Sequence, residues 1–155
     1  RTGRRCVAAA GDLHQRLRVP RTRPVACAAV PSEPRAIPEA VPNPHPDRDY
    51  EVHCRTPELT CRCPVTGQPD FATVDIRYVP DQSLVELKSL KLYLWSYRDQ
   101  GAFHEDITNR ILNDLVGLLA PRRMVVRTEW NVRGGIETVV TAAHPSLEAA
   151  TQTAS

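Results

Sequence analysis

Alternating apolar and polar positions predict four β-strands, all of them after residue 47. The most regular strand is predicted over residues 71–79 and is closed by a Pro80-Asp81 turn. Its apolar face is Ala72, Val74, Ile76 and Tyr78, and its polar face is Thr73, Asp75 and Arg77. A shorter strand is predicted over residues 50–55.

The other two strands are predicted on either side of a Gly134-Gly135 turn. The second of them covers residues 136–141. In the first, the two alternating sets are Met124, Val126, Trp130 and Val132 on one face, and Arg127, Glu129, Asn131 and Arg133 on the other.

Helical spacing occurs between these two pairs of strands. Leu90, Leu94 and Tyr97 follow an i, i+4, i+7 spacing, which predicts a helix that ends near Gly101. A second helix is predicted from about His104, and its apolar stripe is Ile107, Ile111, Leu112, Leu115, Leu118 and Leu119. The order ββααββ predicts an α+β domain, with an antiparallel sheet and both helices on one of its faces.

The N-terminal part of the chain lacks such patterns. Eight of the fourteen prolines lie between Pro20 and Pro46, too closely spaced for a helix or a sheet to continue through them. Three explanations stay open for residues 1–35: a disordered arm, sequence upstream of a wrongly placed start, or a transit-like leader. We expect one folded catalytic domain over residues 36–143 and a loose tail over residues 144–155.

Charge is divided unevenly along the chain. Residues 1–35 hold eight Arg against Asp12 and Glu33, a net charge of +6, whereas residues 36–155 hold twelve basic and sixteen acidic groups, a net charge of −4. Binding of long nucleic acid requires a basic face, so the folded domain is not expected to bind nucleic acid directly. Its small sheet would have two free edges, and we therefore expect a homo-oligomer.

The five cysteines, Cys6, Cys27, Cys54, Cys61 and Cys63, form an odd set without the density of a secreted disulfide scaffold. The sequence shows no signal-peptide core and no apolar stretch of about 18 residues. We therefore expect a cytoplasmic protein, in which the cysteines are metal ligands, nucleophiles or buried thiols. A zinc site is disfavoured, because Cys61 and Cys63 are separated by one residue only.

Cys63 and Asp70 are the candidate catalytic pair. Cys63 precedes a Pro-Val-Thr-Gly turn, and Asp70 stands at the mouth of the strand that follows. A turn can bring a thiolate and a carboxylate to one substrate, where the thiolate attacks and the acid moves protons. The alternative for Cys63 is a small buried side chain, which is the commonest state of a free cysteine.

Two carboxylates are candidates for binding a purine-like ring. Glu105, next to His104 at a helix start, can accept two parallel hydrogen bonds from a guanine-like N–H and amino edge. Glu86 can do the same from the preceding element. The alternative for Glu105 is a first-turn carboxylate that complements the helix dipole.

The candidate phosphate ligands are Lys88, Lys91 and Arg133. Lys88 and Lys91 are the chain's two lysines beside eighteen arginines, and their spacing puts both on one face of a helix. No Gly-x-Gly-x-x-Gly turn is present, so a phosphorylated cofactor would have to be held by such side chains. The alternative for all three is a solvated surface.

Several motifs occur in one order along residues 36–143. They are Pro42-Asn43-Pro44, Cys63-Pro64-Val65-Thr66-Gly67-Gln68-Pro69-Asp70-Phe71, Glu86-Leu87-Lys88-Ser89-Leu90-Lys91-Leu92-Tyr93, Phe103-His104-Glu105-Asp106 and Arg133-Gly134-Gly135. Together they resemble the NADPH-dependent 7-cyano-7-deazaguanine reductases, the nitrile reductases of queuosine biosynthesis, in their single-module form. Residues 1–35 do not resemble that family.

The resemblance implies a fold, an assembly and a reaction. The fold is the tunnelling fold shared with GTP cyclohydrolase I, assembled as a decamer of two pentameric rings with sites between subunits. The reaction is the four-electron reduction of a nitrile to an aminomethyl group by two NADPH. Cys63 adds to the nitrile carbon and forms a covalent thioimidate, with Asp70 as the proton donor.

The resemblance also implies roles for the binding residues. Glu105, with His104, and Glu86 hold the deazaguanine ring. The NADPH phosphates meet Lys88, Lys91 and Arg133.

Two alternative functions stay open. One is a zinc-dependent hydrolase of the GTP cyclohydrolase type on the same fold, and the other is a non-catalytic ring protein that binds purine-like ligands. Cys61, which lies outside the matched motif, is expected either to compete with Cys63 for alkylating reagents or to form an inhibitory disulfide.

Overall fold

The computed structural model describes residues 33–146. Their strands are β1 (Ala40–Pro42), β2 (Val52–Arg62), β3 (Pro69–Val79), β4 (Ser83–Val85), β5 (Arg123–Arg133) and β6 (Ile136–His144). Their helices are α1 (Leu87–Trp95), which continues into a 3₁₀ turn at Ser96–Asp99, and α2 (His104–Leu119). The expectations for residues 1–32 and 147–155 lie outside the described residues. No helix among residues 33–146 is long and apolar enough to cross a membrane.

The four long strands form one antiparallel sheet in the order β2-β3-β5-β6. β5 and β6 are joined by Gly134 and Gly135, whose φ angles are 58° and 80°. Positive φ at both central residues is typical of a tight hairpin turn and is cheapest for glycine. The predicted α+β class, with an antiparallel sheet and two helices between its strand pairs, is confirmed.

The core lies between one face of this sheet and the two helices. The inward side chains of β3 are those predicted from its alternation, and Val74 and Ile76 are buried. Against them pack Leu90 of α1 and the stripe of α2, in which Ile107 and Ile111 have no exposed surface. Burial of apolar side chains at about 25 cal/mol per Å² is what holds helices and sheet together.

β2 is longer than the strand predicted over residues 50–55. It begins at Val52 and runs through Pro57 to Arg62, with a register shift between Thr56 and Leu59. A proline cannot donate to a strand ladder, but it is tolerated on an edge strand or at a bulge. β2 meets both conditions, since it is the outer strand of the sheet. Pro57 therefore lies at a bulge within β2.

The alternation predicted for β5 is wrong at its last apolar position. Val132 is 61% exposed, whereas Met124, Val126 and Trp130 are buried as predicted. The pairing of β5 with β6 shifts register between Trp130 and Arg133. A shift by one residue turns the following side chains to the opposite face.

β1 and β4 were not predicted, because strands of three residues are too short to show alternation. They pair antiparallel as a separate two-stranded sheet. Next to it, the buried side chain of Asn43 donates to the Asp81 carbonyl at 2.7 Å and accepts from the His45 N–H at 2.9 Å. This amide fixes the proline-rich segment that leads into β2.

Candidate active site

An open cleft of about 470 Å³ lies where the end of β2, the start of β3, the start of α2 and the end of β5 meet. Five of the predicted site residues line it: Cys63, Asp70, His104, Glu105 and Arg133. They come from three separate stretches of the chain, so the cleft is assembled by the fold.

The β2–β3 connection places the thiol and the carboxylate. Cys63 follows the last residue of β2, and Asp70 is the second residue of β3. The Cys63 N–H donates to the Gln68 carbonyl at 2.8 Å, and the Gly67 N–H donates to the Cys63 carbonyl at 2.9 Å. Gly67 has a φ of 69°, which a side chain would disfavour. The connection is thus a closed turn that holds Cys63 at the cleft.

Two further contacts bring α2 and β5 to the same place. The Arg62 N–H donates to the Gln100 carbonyl at 2.9 Å, and the Ala102 N–H donates to the Arg62 carbonyl at 3.3 Å. The segment before α2 therefore runs along the end of β2. On the other side, β3 pairs with β5 up to Ala72 and Trp130, so that Arg133 arrives beside the start of β3.

The Cys63 thiol is activated by its own turn. The Thr66 hydroxyl, and after it the backbone N–H groups of Thr66 and Val65, hold the pKa of Cys63 below its ordinary value. Partial burial and the charge of Asp70 act in the opposite direction and are weaker. The thiolate is the nucleophilic form of cysteine, so this turn favours the reactive state. Thr66 was missed by the sequence analysis, although a hydroxyl three residues after a cysteine in a turn was a usable signal.

Asp70 is 4% exposed, and its carboxylate meets two cationic or ionisable partners. One carboxylate oxygen pairs with the Arg133 guanidinium. The other lies 3.4 Å from Nε2 of His104. A buried carboxylate needs such partners, because an unpaired charge away from water is costly. Asp70 is therefore held in place between α2 and β5, facing the cleft.

Glu105 and Phe103 form the outer rim of the cleft. Glu105 is an exposed residue of the first turn of α2, and Phe103 is 62% exposed. A carboxylate beside an exposed aromatic ring provides a hydrogen-bond acceptor and a flat apolar surface. This pair suits a planar ring that carries N–H groups on one edge.

The two lysines line a second, larger cleft of about 1050 Å³ between β2, β3 and α1. Lys88 and Lys91 are both exposed and share this cleft with Arg55 and Arg98. Its walls also include apolar side chains such as Trp95. Four cationic groups beside apolar walls are a donor set that suits a phosphorylated ligand with a flat ring.

Glu86 is the N-cap of α1. Its two carboxylate oxygens accept from the Lys88 N–H at 2.9 Å and from the Ser89 N–H at 2.7 Å. These backbone N–H groups lower the pKa of Glu86. Because a carboxylate has about four lone-pair positions, capping leaves acceptor capacity on each oxygen. Glu86 is not among the residues that line the Cys63 cleft.

Two other thiols differ from Cys63 in their surroundings. Cys61 is buried, and this burial, followed by the charges of Asp70 and Cys63, raises its pKa to about 12. Cys54 is half-buried, which raises its pKa as well. A thiol with a raised pKa is a poor nucleophile, so competition between Cys61 and Cys63 for alkylating reagents is disfavoured. No group of three or more His, Cys, Asp or Glu within residues 33–146 is arranged to hold a metal ion.

Comparison with known proteins identifies the family. A family model described as QueF-like protein matches residues 69–149. A protein from Thermomicrobium roseum is 63% identical over 113 residues, which cover 73% of this chain and 88% of that protein. One from Nitrosococcus oceani is 61% identical over 113 residues, with the same two shares. Both are named NADPH-dependent 7-cyano-7-deazaguanine reductase. The chain belongs to this reductase family.

A solved structure supports the fold of the reductase. The archaeosine synthase QueF-Like in its apo form superposes with a TM-score of 0.57 at 22% sequence identity, covering 60% of this chain and 91% of that one. At this identity the likeness concerns the fold alone. It confirms the α+β tunnelling-type architecture that the motifs implied.

The fold divides the predicted site residues into two groups. Cys63, Asp70, His104, Glu105 and Arg133 line the smaller cleft. Lys88 and Lys91 line the larger one, and Glu86 caps the helix that carries them. Arg133, which was predicted as a phosphate ligand together with the lysines, contacts Asp70 within one chain.

Proposed function

We propose that this protein reduces the nitrile of 7-cyano-7-deazaguanine to the aminomethyl group of 7-aminomethyl-7-deazaguanine, with NADPH as the reductant, as a step of queuosine biosynthesis. Membership of the reductase family supports this proposal. The observation that carries it is the meeting of an activated thiol, Cys63, with a buried carboxylate, Asp70, in one cleft. That pair is what addition to a carbon–nitrogen triple bond requires.

The first step is proposed to be addition of Cys63 to the nitrile. The sulfur forms a bond to the nitrile carbon, one π bond of the triple bond breaks, and the nitrogen takes up a proton. Asp70 accepts the thiol proton and then delivers it to that nitrogen, so that the net change is addition of S–H across the triple bond. The product is a thioimidate, which accepts hydride more readily than a nitrile because one difficult step has been split in two.

The deazaguanine ring is proposed to lie against α2. Glu105 accepts the ring N–H and amino groups as a pair of parallel hydrogen bonds, with His104 beside it. Glu86 does not line this cleft within one chain, so its free acceptor capacity is proposed to come from a neighbouring copy. An analogue without the amino group would leave one oxygen of the Glu105 carboxylate without its hydrogen-bond partner in the closed complex. The site would discriminate strongly against this analogue, since a charged group without its hydrogen-bond partner away from water costs more free energy than a missing methylene.

Lys88, Lys91 and Arg133 are proposed to bind the NADPH phosphates. The larger cleft supports this role for Lys88 and Lys91, because its cationic side chains and apolar walls suit a dinucleotide. Arg133 has five N–H donors and can therefore keep its contact to Asp70 while it meets a phosphate. NADPH, when bound, supplies hydride to the carbon that Cys63 holds.

A homo-oligomer, expected as a decamer of two pentamers, is proposed to complete the site. β2 and β6 are the outer strands of the sheet, and free edges are commonly closed by a second copy. The two groups of site residues line different clefts of one chain. Assembly between neighbouring copies would bring a nitrile cleft of one chain to a lysine cleft of the next.

Substrate-dependent oxidation of NADPH tests the function. The expected result is two NADPH consumed for each aminomethyl product, since the reduction takes four electrons and each NADPH supplies two. Cys63→Ala should abolish turnover, whereas Cys61→Ala, which removes the neighbouring buried thiol, should keep it. Substrate binding without NADPH oxidation by the native protein would favour a non-catalytic ligand-binding protein. Turnover by Cys63→Ala at the native rate would refute the role of the thiol.

A further inference from the structure

The His104 ring lies flat against the indole of Trp130. Their ring centroids are 3.8 Å apart and their planes differ by 2°. Trp130 is 3% exposed, so its position is set by the core. A large rigid ring in face contact leaves the imidazole with little freedom to tilt, because tilting would drive it into the indole.

A chain of hydrogen bonds ties the same tryptophan to the backbone of His104. Trp130 Nε1 lies 2.9 Å from the Thr128 hydroxyl, the Thr128 and Thr108 hydroxyls are 2.7 Å apart, and the Thr108 hydroxyl lies 2.8 Å from the His104 carbonyl. An indole N–H can only donate and a carbonyl can only accept, and each hydroxyl has one hydrogen. Every hydroxyl must therefore donate in the same direction, from Trp130 towards His104.

The two contacts form a closed loop around one residue. His104 is held through its ring by the face of Trp130 and through its carbonyl by the chain that starts at the Trp130 N–H. Thr108 and Thr128 have no exposed surface, and a fully satisfied buried polar network specifies one arrangement of its members. A purely apolar set would pack this position without fixing the angle between α2 and β5.

This loop sits behind the groups that line the cleft. His104 Nε2 is 3.4 Å from Asp70, Glu105 follows His104 in the first turn of α2, and Arg133 ends the strand that carries Trp130. A change in the angle between α2 and β5 would move these groups relative to one another. Misplacement by about 1 Å can lower a rate about 100-fold, even when its cause is remote from the chemistry.

We propose that Trp130, with Thr128 and Thr108, is a positioning residue that sets the His104 ring and the first turn of α2 against Asp70. The substrate-related part of this inference rests on the proposed function. Trp130→Leu is expected to lower kcat/KM for the cyano substrate by about 10-fold to 100-fold, mainly by raising the KM for that substrate. Trp130→Phe keeps a ring face and is expected to recover most of the loss.

A matched control separates positioning from lost stability. Val126→Ala also creates a cavity on the buried face of β5, but Val126 has no part in the hydrogen-bond loop. It is expected to lower the melting temperature without changing the KM for the cyano substrate. Equal KM changes in Trp130→Leu and Val126→Ala, or equal loss in Trp130→Phe and Trp130→Leu, would overturn the proposal. If Trp130→Leu does not fold, Thr128→Val takes its place, and an unchanged KM in that variant would overturn it.

The imidazole resonances of His104 give a readout that needs neither substrate nor turnover. In the native protein and in Trp130→Phe, the ring protons are expected to give one set of signals, shifted upfield by the ring face. In Thr128→Val or Trp130→Leu, the shift should decrease and the signals should broaden or multiply. An unperturbed His104 signal in Thr128→Val and Trp130→Leu would overturn the positioning role. Loss of nitrile turnover in the native protein, with these NMR changes intact, would contradict the proposed function alone.

Discussion

Replacement of Thr128 by Val removes a hydroxyl from the core while leaving the outline of the side chain nearly unchanged. The hydroxyl accepts from Trp130 Nε1 at 2.9 Å and contacts the Thr108 hydroxyl at 2.7 Å. After the substitution the indole N–H has no acceptor, and its ring is buried. A buried donor without a partner costs about 1–3 kcal/mol, so Thr128→Val is expected to lower the free energy of unfolding by that amount.

Thermal unfolding followed by circular dichroism measures this change. For a domain of the size spanned by residues 33–146, about 1 kcal/mol corresponds to about 3–5 °C in Tm. The expected fall is therefore about 3–15 °C. Protein concentration must be held fixed, because the proposed homo-oligomer would make Tm depend on it. Thr73→Val is a suitable control, since Thr73 lies on the outer side of β3 and the change should stay within about 0.5 kcal/mol.

A double-mutant cycle with Thr108→Val tests the chain of hydrogen bonds itself. Removing both hydroxyls takes away two mutually dependent partners, so the double variant should cost less than the sum of the single variants. The expected coupling is about 0.5–3 kcal/mol. The chain of buried hydrogen bonds between β5 and α2 would be refuted if the two losses of unfolding free energy simply added. It would also be refuted if the Thr128→Val protein were as stable as the native one.

Three further predictions concern the thiol, the lysines and the end of α2. Thr66→Val removes the hydroxyl that lowers the pKa of Cys63. The plot of the iodoacetamide alkylation rate of Cys63 against pH should therefore move to higher pH, while the rates of the native and variant proteins converge at high pH. Thr66→Ser should leave the curve in place, and an unmoved Thr66→Val curve would contradict the assignment. Lys88→Ala and Lys91→Ala should each raise the KM for NADPH by about tenfold, the effect of one lost charge-assisted hydrogen bond, and should change the KM for the deazaguanine less. An unchanged KM for NADPH would mean that the lysines have only a structural role. Ala120→Gly should raise the unfolding free energy by about 1 kcal/mol, because Ala120 ends α2 with a φ of 42° that glycine adopts more easily; a less stable variant would contradict this.

The local pattern of apolar and polar residues was sufficient to predict the long strands and the helices, but not the register shifts within the strands. The alternation in β3 and the stripe of α2 predicted the buried side chains, because periodicity follows directly from strand and helix geometry. Val132 was assigned to the wrong face, since the register shift that turns it outward depends on the pairing of β5 with β6. The strand predicted over residues 50–55 was too short, since the position of Pro57 on an outer strand is a property of the sheet.

The candidate site likewise has features that the sequence predicts and features that depend on the fold. The thiol and the carboxylate could be predicted together from a motif, because Cys63 and Asp70 lie at the two ends of one short connection. The contact between Asp70 and Arg133 depends on the pairing of β3 with β5, which no spacing along the chain reveals. The stack of Trp130 on His104 was likewise hidden, because the tryptophan fits the alternation of β5 as an ordinary core residue.

Intact-mass spectrometry of the protein mixed with 7-cyano-7-deazaguanine, in the absence of NADPH, tests the central claim most directly. The account predicts a mass gain equal to one substrate molecule per chain, present in Cys61→Ala, absent in Cys63→Ala and discharged when NADPH is added. An unmodified protein that nevertheless reduces the nitrile at its normal rate would contradict it.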